Sequence, residues 1–324
     1  MQFCETCGAK LVSLALFCEH CGSSVAIGMH TREVNPPRAA RAFPRSLVHG
    51  RGGAASPEWV EFLEPTSEEL TSSLGLVCSS RFIRNNEFYQ NTVSRLSFSF
   101  DATADELNAY ACADETIVYL RGLAVAQRVT AAVISVLDKN HSVTPLSYSA
   151  ADSLLTGVFD RIGRKDSWNT SEGIEVLQSL FDSPAFAPGS VLPNLSVARS
   201  IAAACECYVI AHEIGHLALG HVQADVVWPE DVQRNQEREA DSFASSTLSQ
   251  APFAEYLFIG HLATLFLLLQ SQRRRGENRN SSHPDPESRL KSACLNNPSL
   301  AAEAEKRFGI SLDLLSRVWR RMVL

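Results

Sequence analysis

The sequence has no excess of positive charge: 29 Lys and Arg stand against 36 Asp and Glu, a formal net charge of −7. Nucleic acid is therefore not an expected partner of the whole chain. The basic-then-apolar pattern of a secretory leader is also missing from the opening MQFCETCGAK, which points to a cytoplasmic protein with reduced thiols. No internal repeat is present. One apolar run, FAEYLFIGHLATLFLLL at 253–269, nears the length of a membrane span. It carries Glu255 and His261, and a charge near a span's centre costs about 2.5–3.5 kcal/mol on insertion scales. The run reads as a buried core helix, and a membrane is not an expected partner. Cys78, Cys112, Cys205, Cys207 and Cys294 are scattered without a disulfide framework and read as small buried hydrophobes. Cys205 and Cys207, two apart on a predicted helix, point to different sides and cannot form a close metal pair.

What is present is enough for one large core: 324 residues, 45% of them apolar. Residues 26–57 are rich in Pro, Gly and Arg and read as a flexible basic linker. The main domain then occupies 58–324. Thr66 or Ser67 is placed to cap a helix. RLSFSFD (95–101) and ETIVYLRGL (115–123) read as strands, the second running into a helix at about 122–138. Residues 139–195 are turn-rich, with helical pieces near 150–162 and 172–182, and read as a surface insertion. A long helix is predicted from about Ser196 to Gly220. It is apolar nearly all round, as a buried central helix would be. Further helices follow at about 230–250, 253–270, 286–295 and 299–322. The expected fold is α+β: a predominantly helical domain with a small sheet, preceded by a small β ribbon.

That ribbon is predicted over residues 1–25. Two CxxC pairs, Cys4 with Cys7 and Cys18 with Cys21, let four thiolates converge on a tetrahedral zinc. Gly8 and Gly22 follow the pairs and permit the tight turns. The stretch resembles the short zinc-ribbon modules found at the ends of many prokaryotic proteins. Four cysteines leave no open coordination position, so this zinc is structural and the module is a docking element for a protein partner.

The second motif is HEIGHLALGH at 212–221. Residues four apart on a helix share a face, so His212 and His216 can aim at one metal ion. Glu213, beside the first ligand, is placed to act as general base toward water, the arrangement of zinc metallopeptidases. Gly215 leaves room for another element to pack closely. A third ligand is needed. His221 lies nine residues after His212, about 180° round a continuing helix. The metzincin pattern puts its Gly and third His where this chain has Leu219 and Val222. His221 is therefore expected at the helix end, serving the last carbonyls. Downstream, NQEREADSFASSTL (235–248) holds Glu237, Glu239 and Asp241 on a helix. Glu237 and Asp241 share a face, so one can bind zinc while the other orients a ligand histidine. Glu239 is expected to point away as a solvated charge. Tyr208, Tyr256, His261 and His283 are possible oxyanion donors.

HExxH followed by EREAD resembles the ExxxD pattern of gluzincins of the HtpX and CAAX-prenyl endopeptidase type. NAYACADETIVYLRGL (108–123) looks like that family's Asn-Ala-x-Ala stretch, strand and Gly-Leu. HPDPESRL (283–290) is similar to its His-Pro…Arg segment. HEIGHLALGH together with EREADSFA is also similar to the ImmA/IrrE-type soluble peptidases. The resemblance covers roughly 105–295. It implies a zincin-like metallopeptidase fold for the helical domain, and a zinc endopeptidase with ligands His212, His216 and Glu237, base Glu213, and Asp241 holding a ligand histidine from behind. The family's strand near NAYA would line the cleft and hold an extended substrate. The transmembrane helices of the membrane members are missing. The cofactors expected are two Zn2+, one catalytic and one structural, and the partner a protein or peptide substrate. The alternative is a catalytically silent peptidase-like domain that acts with the ribbon as a binding adaptor.

Overall fold

The computed structural model describes residues 57–138, 155–158, 161–162, 167–181, 193–224, 226, 228–251, 254–274 and 286–310. The predicted ribbon with Cys4, Cys7, Cys18 and Cys21, the linker before Pro57, and His283 lie outside the described residues.

Four helices come first: α1 (Pro57–Leu63), α2 (Ser67–Cys78), α3 (Arg81–Arg84) and α4 (Glu87–Arg95). Thr66 caps α2, and Glu69 reaches back to the Thr66 backbone to complete a capping box. Three strands follow: β1 (Ser97–Asp101), β2 (Ala109–Ala111) and β3 (Thr116–Leu120), in the order β1-β3-β2. β1 pairs parallel to β3 and β2 pairs antiparallel to it. The NAYA stretch is thus itself a strand, at the sheet's edge. Immediately after β3, Gly122 begins the next helix with its Cα against residues 105–106. A Cβ there would lie 2.0 Å from the Asp105 carbonyl oxygen, which only glycine avoids.

Helix α5 (Arg121–Ser135) is buried from Gly122 onward. Helix α6 (Thr170–Phe181) packs on α1 and α5. Trp168, Ile174 and Leu177 beside it are buried. This part of the predicted surface insertion is core, because its apolar residues fall on one helical face. Helix α7 (Leu195–Ala218) runs through the middle, and Asn194 caps it. Around it pack α2, α5, α8 (Glu230–Ser249) and α9 (Ala254–Arg274). Helices α10 (Pro286–Asn296) and α11 (Pro298–Phe308) close the fold.

The apolar run at 253–269 is α9, and its core is buried from Leu257 to Leu265. Among the described residues, no helix is long and apolar enough to cross a membrane. Cys205 and Cys207 are both buried and face different neighbours. The Cys205 carbonyl accepts from Thr264 of α9, whereas the Cys207 thiol donates to the Ser73 carbonyl of α2.

Buried charge ties the layers together. Arg128 of α5 donates to Glu206 of α7 at 3.2 Å and to Glu69 of α2 at 2.8 Å. Ser73 donates to Glu206 at 2.8 Å. Burial pushes the Glu206 carboxyl upward, and Arg128 opposes that shift. Helices α7 and α9 meet almost backbone to backbone at Gly260. A Cβ there would lie 2.3 Å from the Ala204 carbonyl carbon and 2.5 Å from the Cys205 nitrogen. Gly260→Ala should therefore destabilise the domain by roughly 2–3 kcal/mol or more, because backbone must shift to admit the methyl. Urea unfolding checks it; an unchanged midpoint would show that the helices are not in this contact.

Candidate metal centre

Two helices build the site. Helix α7 supplies His212, Glu213 and His216, and α8 supplies Glu237 and Asp241. Gly215 sets their separation: a Cβ on it would lie 3.2 Å from the Ala240 Cα and 3.2 Å from the Phe243 Cβ. The room expected at Gly215 is thus filled by α8. With the helices this close, one ligand atom each from His212, His216 and Glu237 falls within 4.8 Å of the others. The two Nε2 atoms are 3.1 Å apart, and each lies 3.5 Å from a Glu237 carboxylate oxygen. Two imidazoles and a carboxylate converging in this way form a donor set that fits zinc. Glu213 is buried next to His212.

Behind His212 stands Asp241, whose Oδ1 lies 3.0 Å from His212 Nδ1, a close ion-pair contact rather than an aligned hydrogen bond. Asp241 also accepts from Tyr208 Oη at 2.7 Å and from Arg289 Nε and Nη2, both at 2.6 Å. Burial alone would raise its carboxyl, but Arg289 and His212 hold it well below the ordinary range. Burial alone would likewise depress His212, but the Asp241 and Glu237 carboxylates outweigh it and lift the imidazole to about 10. His216 is lowered, chiefly by burial. Arg289 extends to Glu237 as well, at 3.7 Å. Its place in the His-Pro…Arg segment was visible in the sequence, but its role was not. That role is to neutralise a buried aspartate, and a buried Asp on the site face is the signal that such a partner exists.

His221 lies just past the helix end, as expected. Helix α7 ends at Ala218 with Leu219 as its C-cap, and Gly220 takes a left-handed φ of 72°. Gly220 N–H donates to the Leu217 carbonyl and His221 N–H to the His216 carbonyl. These are the two bonds of a Schellman motif, which turns the chain back on itself. The His221 backbone does serve a last carbonyl, as expected. Its ring, however, comes to His216: the two Nδ1 atoms are 3.2 Å apart. The other ring nitrogen, Nε2, lies 2.9 Å from Glu239 Oε2. Glu239 is 61% exposed, yet it is not merely a solvated charge pointing away. The bend that returns His221 also brings it within reach of Glu239.

Of the possible oxyanion donors, Tyr208 donates its proton to Asp241, and Tyr256 accepts from Arg307. His261 is buried and stacked on Tyr208 with ring centroids 4.0 Å apart, and burial pushes its imidazole down to about 4.

Two tests follow from the Asp241–Arg289 pair. Arg289→Met should cost about 3–5 kcal/mol, because it strands a buried carboxylate; a loss under 1 kcal/mol in urea unfolding would contradict the pairing. Since Asp241 titrates below its unfolded value of about 3.9, its contribution is complete above that pH and is lost as pH falls. Asp241→Asn should therefore flatten the decline of stability as pH falls below about 4. Equally steep declines in the variant and the parent protein would assign the acid sensitivity elsewhere.

Residues 174–306 match the family described as Peptidase U49. That stretch runs from α6 into α11 and contains His212, Glu213, His216, His221, Glu237, Glu239, Asp241 and Arg289. No curated protein and no solved structure matches the chain. The family match supports a peptidase, and hence a hydrolase, in the part of the chain that carries the site.

Proposed function

We propose that the protein is a zinc-dependent endopeptidase of gluzincin type, with His212, His216 and Glu237 as metal ligands and Glu213 as general base. The observation that carries this reading is the convergence of those three ligand atoms within 4.8 Å, with buried Glu213 next to His212 on one of the two helices. The peptidase family match over the same residues supports it.

The chemistry that zinc supplies in such a site is Lewis acidity toward a scissile carbonyl and toward water. The rest falls to the chain. Glu213 takes a proton on its carboxylate as water attacks, then delivers it to the leaving amine. His212 and His216 must be neutral at Nε2 to serve as ligands. Asp241 holds His212 from behind, and Arg289 keeps Asp241 ionised. Substrate has an evident place to lie. Strand β2 is at the edge of the described sheet and packs beside α7, with Tyr110 43% exposed. An extended peptide can add to that edge through backbone hydrogen bonds. Just after β2, the Cys112 thiol is raised by burial, by Asp114 and by the charge of Glu213. The four cysteines of the predicted ribbon would hold a second, structural zinc and dock a partner or substrate.

The test is hydrolysis of a proteome-derived peptide library. The parent chain should cleave, 1,10-phenanthroline should abolish cleavage, and added zinc should restore it. Glu213→Gln should retain metal and lose at least about a hundredfold in kcat/KM, the lower end of what a general base contributes. Cleavage by Glu213→Gln at the parent rate would overturn the assignment. A parent chain that binds zinc but cleaves nothing would favour a silent adaptor.

A further inference from the structure

We propose that His221 and Glu239 are positioning residues for the metal centre: together they fix the tautomer and orientation of His216. The inference rests on the zinc-peptidase reading above and assigns two residues that the ligand set does not include.

The argument is one of donors and acceptors. A carboxylate accepts hydrogen bonds and donates none when ionised. The contact of 2.9 Å between Glu239 Oε2 and His221 Nε2 therefore places the proton of a neutral His221 on Nε2. Its Nδ1 is left with a lone pair. That Nδ1 lies 3.2 Å from His216 Nδ1, so His216 must be the donor and carry its proton on Nδ1. The Nε2 of His216 is then the free lone pair, and it is this atom that points toward His212 Nε2 and Glu237. A carboxylate near the surface thus dictates, through two imidazole rings, which nitrogen of His216 is available to a metal. The opposite arrangement, with the proton on His216 Nε2, would block ligation.

The backbone is built to keep His221 there. Its N–H is held by the His216 carbonyl, in the turn that Gly220 permits. Its carbonyl accepts from Trp228 Nε1 at 3.1 Å, and the Trp228 carbonyl accepts from Gln233 Nε2 at 2.6 Å. The loop between α7 and α8 is thereby pinned at His221 and at its far end. The side chain of His221 is 7% exposed although the residue lies outside the helix. His212 and His216 are then supported alike, each with a polar partner behind its Nδ1: Asp241 for the first, His221 with Glu239 for the second. Partners of this kind typically change metal affinity by about 10–100-fold.

The experiment is zinc affinity by chelator competition on the full chain, with His216→Ala defining the signal that does not come from this site. His221→Phe keeps a ring of similar shape and removes both nitrogens; it should weaken binding about 10–100-fold. Glu239→Ala should weaken it by several-fold, and Glu239→Gln, whose amide oxygen still accepts, should restore most of the loss. In the zinc-loaded parent, ring 15N shifts should show His216 protonated on Nδ1 and His221 on Nε2. Parent-like zinc affinity in either His221→Phe or Glu239→Ala, or a His216 proton on Nε2, would overturn the proposal. Should His221→Phe fail to fold, Glu239→Ala still decides, because its side chain is largely exposed. A parent chain that binds no more zinc than His216→Ala would instead overturn the metal site itself, and with it this proposal.

Discussion

The close approach of α7 and α8 at Gly215 is the constraint on which the site depends. Helix periodicity puts His212 and His216 on one face of α7, and Glu237 and Asp241 on one face of α8. Neither pair makes a site alone. Because position 215 lacks a Cβ, Ala240 and Phe243 can press against the α7 backbone, and the two faces come into register. Any side chain there would push α8 outward by tenths of an ångström or more, and a metal site tolerates little of that.

That proximity has an electrostatic consequence. It buries carboxylates near the histidines, and buried carboxylates are stable only when paired. Arg289, delivered by α10, answers Asp241 with two hydrogen bonds and reaches toward Glu237. Farther along α7, Arg128 answers Glu206. The two site helices therefore carry charge within an otherwise apolar core: Glu206 of α7 is matched from α5, and Asp241 of α8 from α10. Function and fold are joined here: α5, which compensates α7, also packs against it.

The parts of this arrangement governed by local rules were legible in the sequence. Four-residue spacing identified His212 with His216 and Glu237 with Asp241. Two residues able to cap, Thr66 and Ser67, marked the start of α2, and apolar continuity marked α7 and α9 as buried. Alternation found β1 and β3, but β2, three residues long, has too few positions to show a period. The role of Arg289 was hidden because it is defined by a partner 48 residues away in sequence. The ring of His221 was misjudged for a different reason. Its direction was judged from the azimuth of a straight helix, whereas the chain turns back after Ala218. The Gly220 that ends the helix was in view, and a Gly just past a C-terminus is the ordinary signal for a Schellman turn. Once that turn is recognised, His221 and Glu239 cease to be bystanders. The expected surface character of residues 167–181 failed because turn-rich flanks masked the apolar face of α6.

The central claim is that His212, His216 and Glu237 bind one zinc ion. It is tested most directly by zinc K-edge X-ray absorption on a chain with Cys4, Cys7, Cys18 and Cys21 replaced by serine. The account predicts about one zinc per chain, bound by nitrogen and oxygen at roughly 2.0–2.1 Å, with the outer-shell scattering of two imidazoles and no sulfur. A chain that retains no zinc, or a spectrum with sulfur in the first coordination sphere, would contradict it.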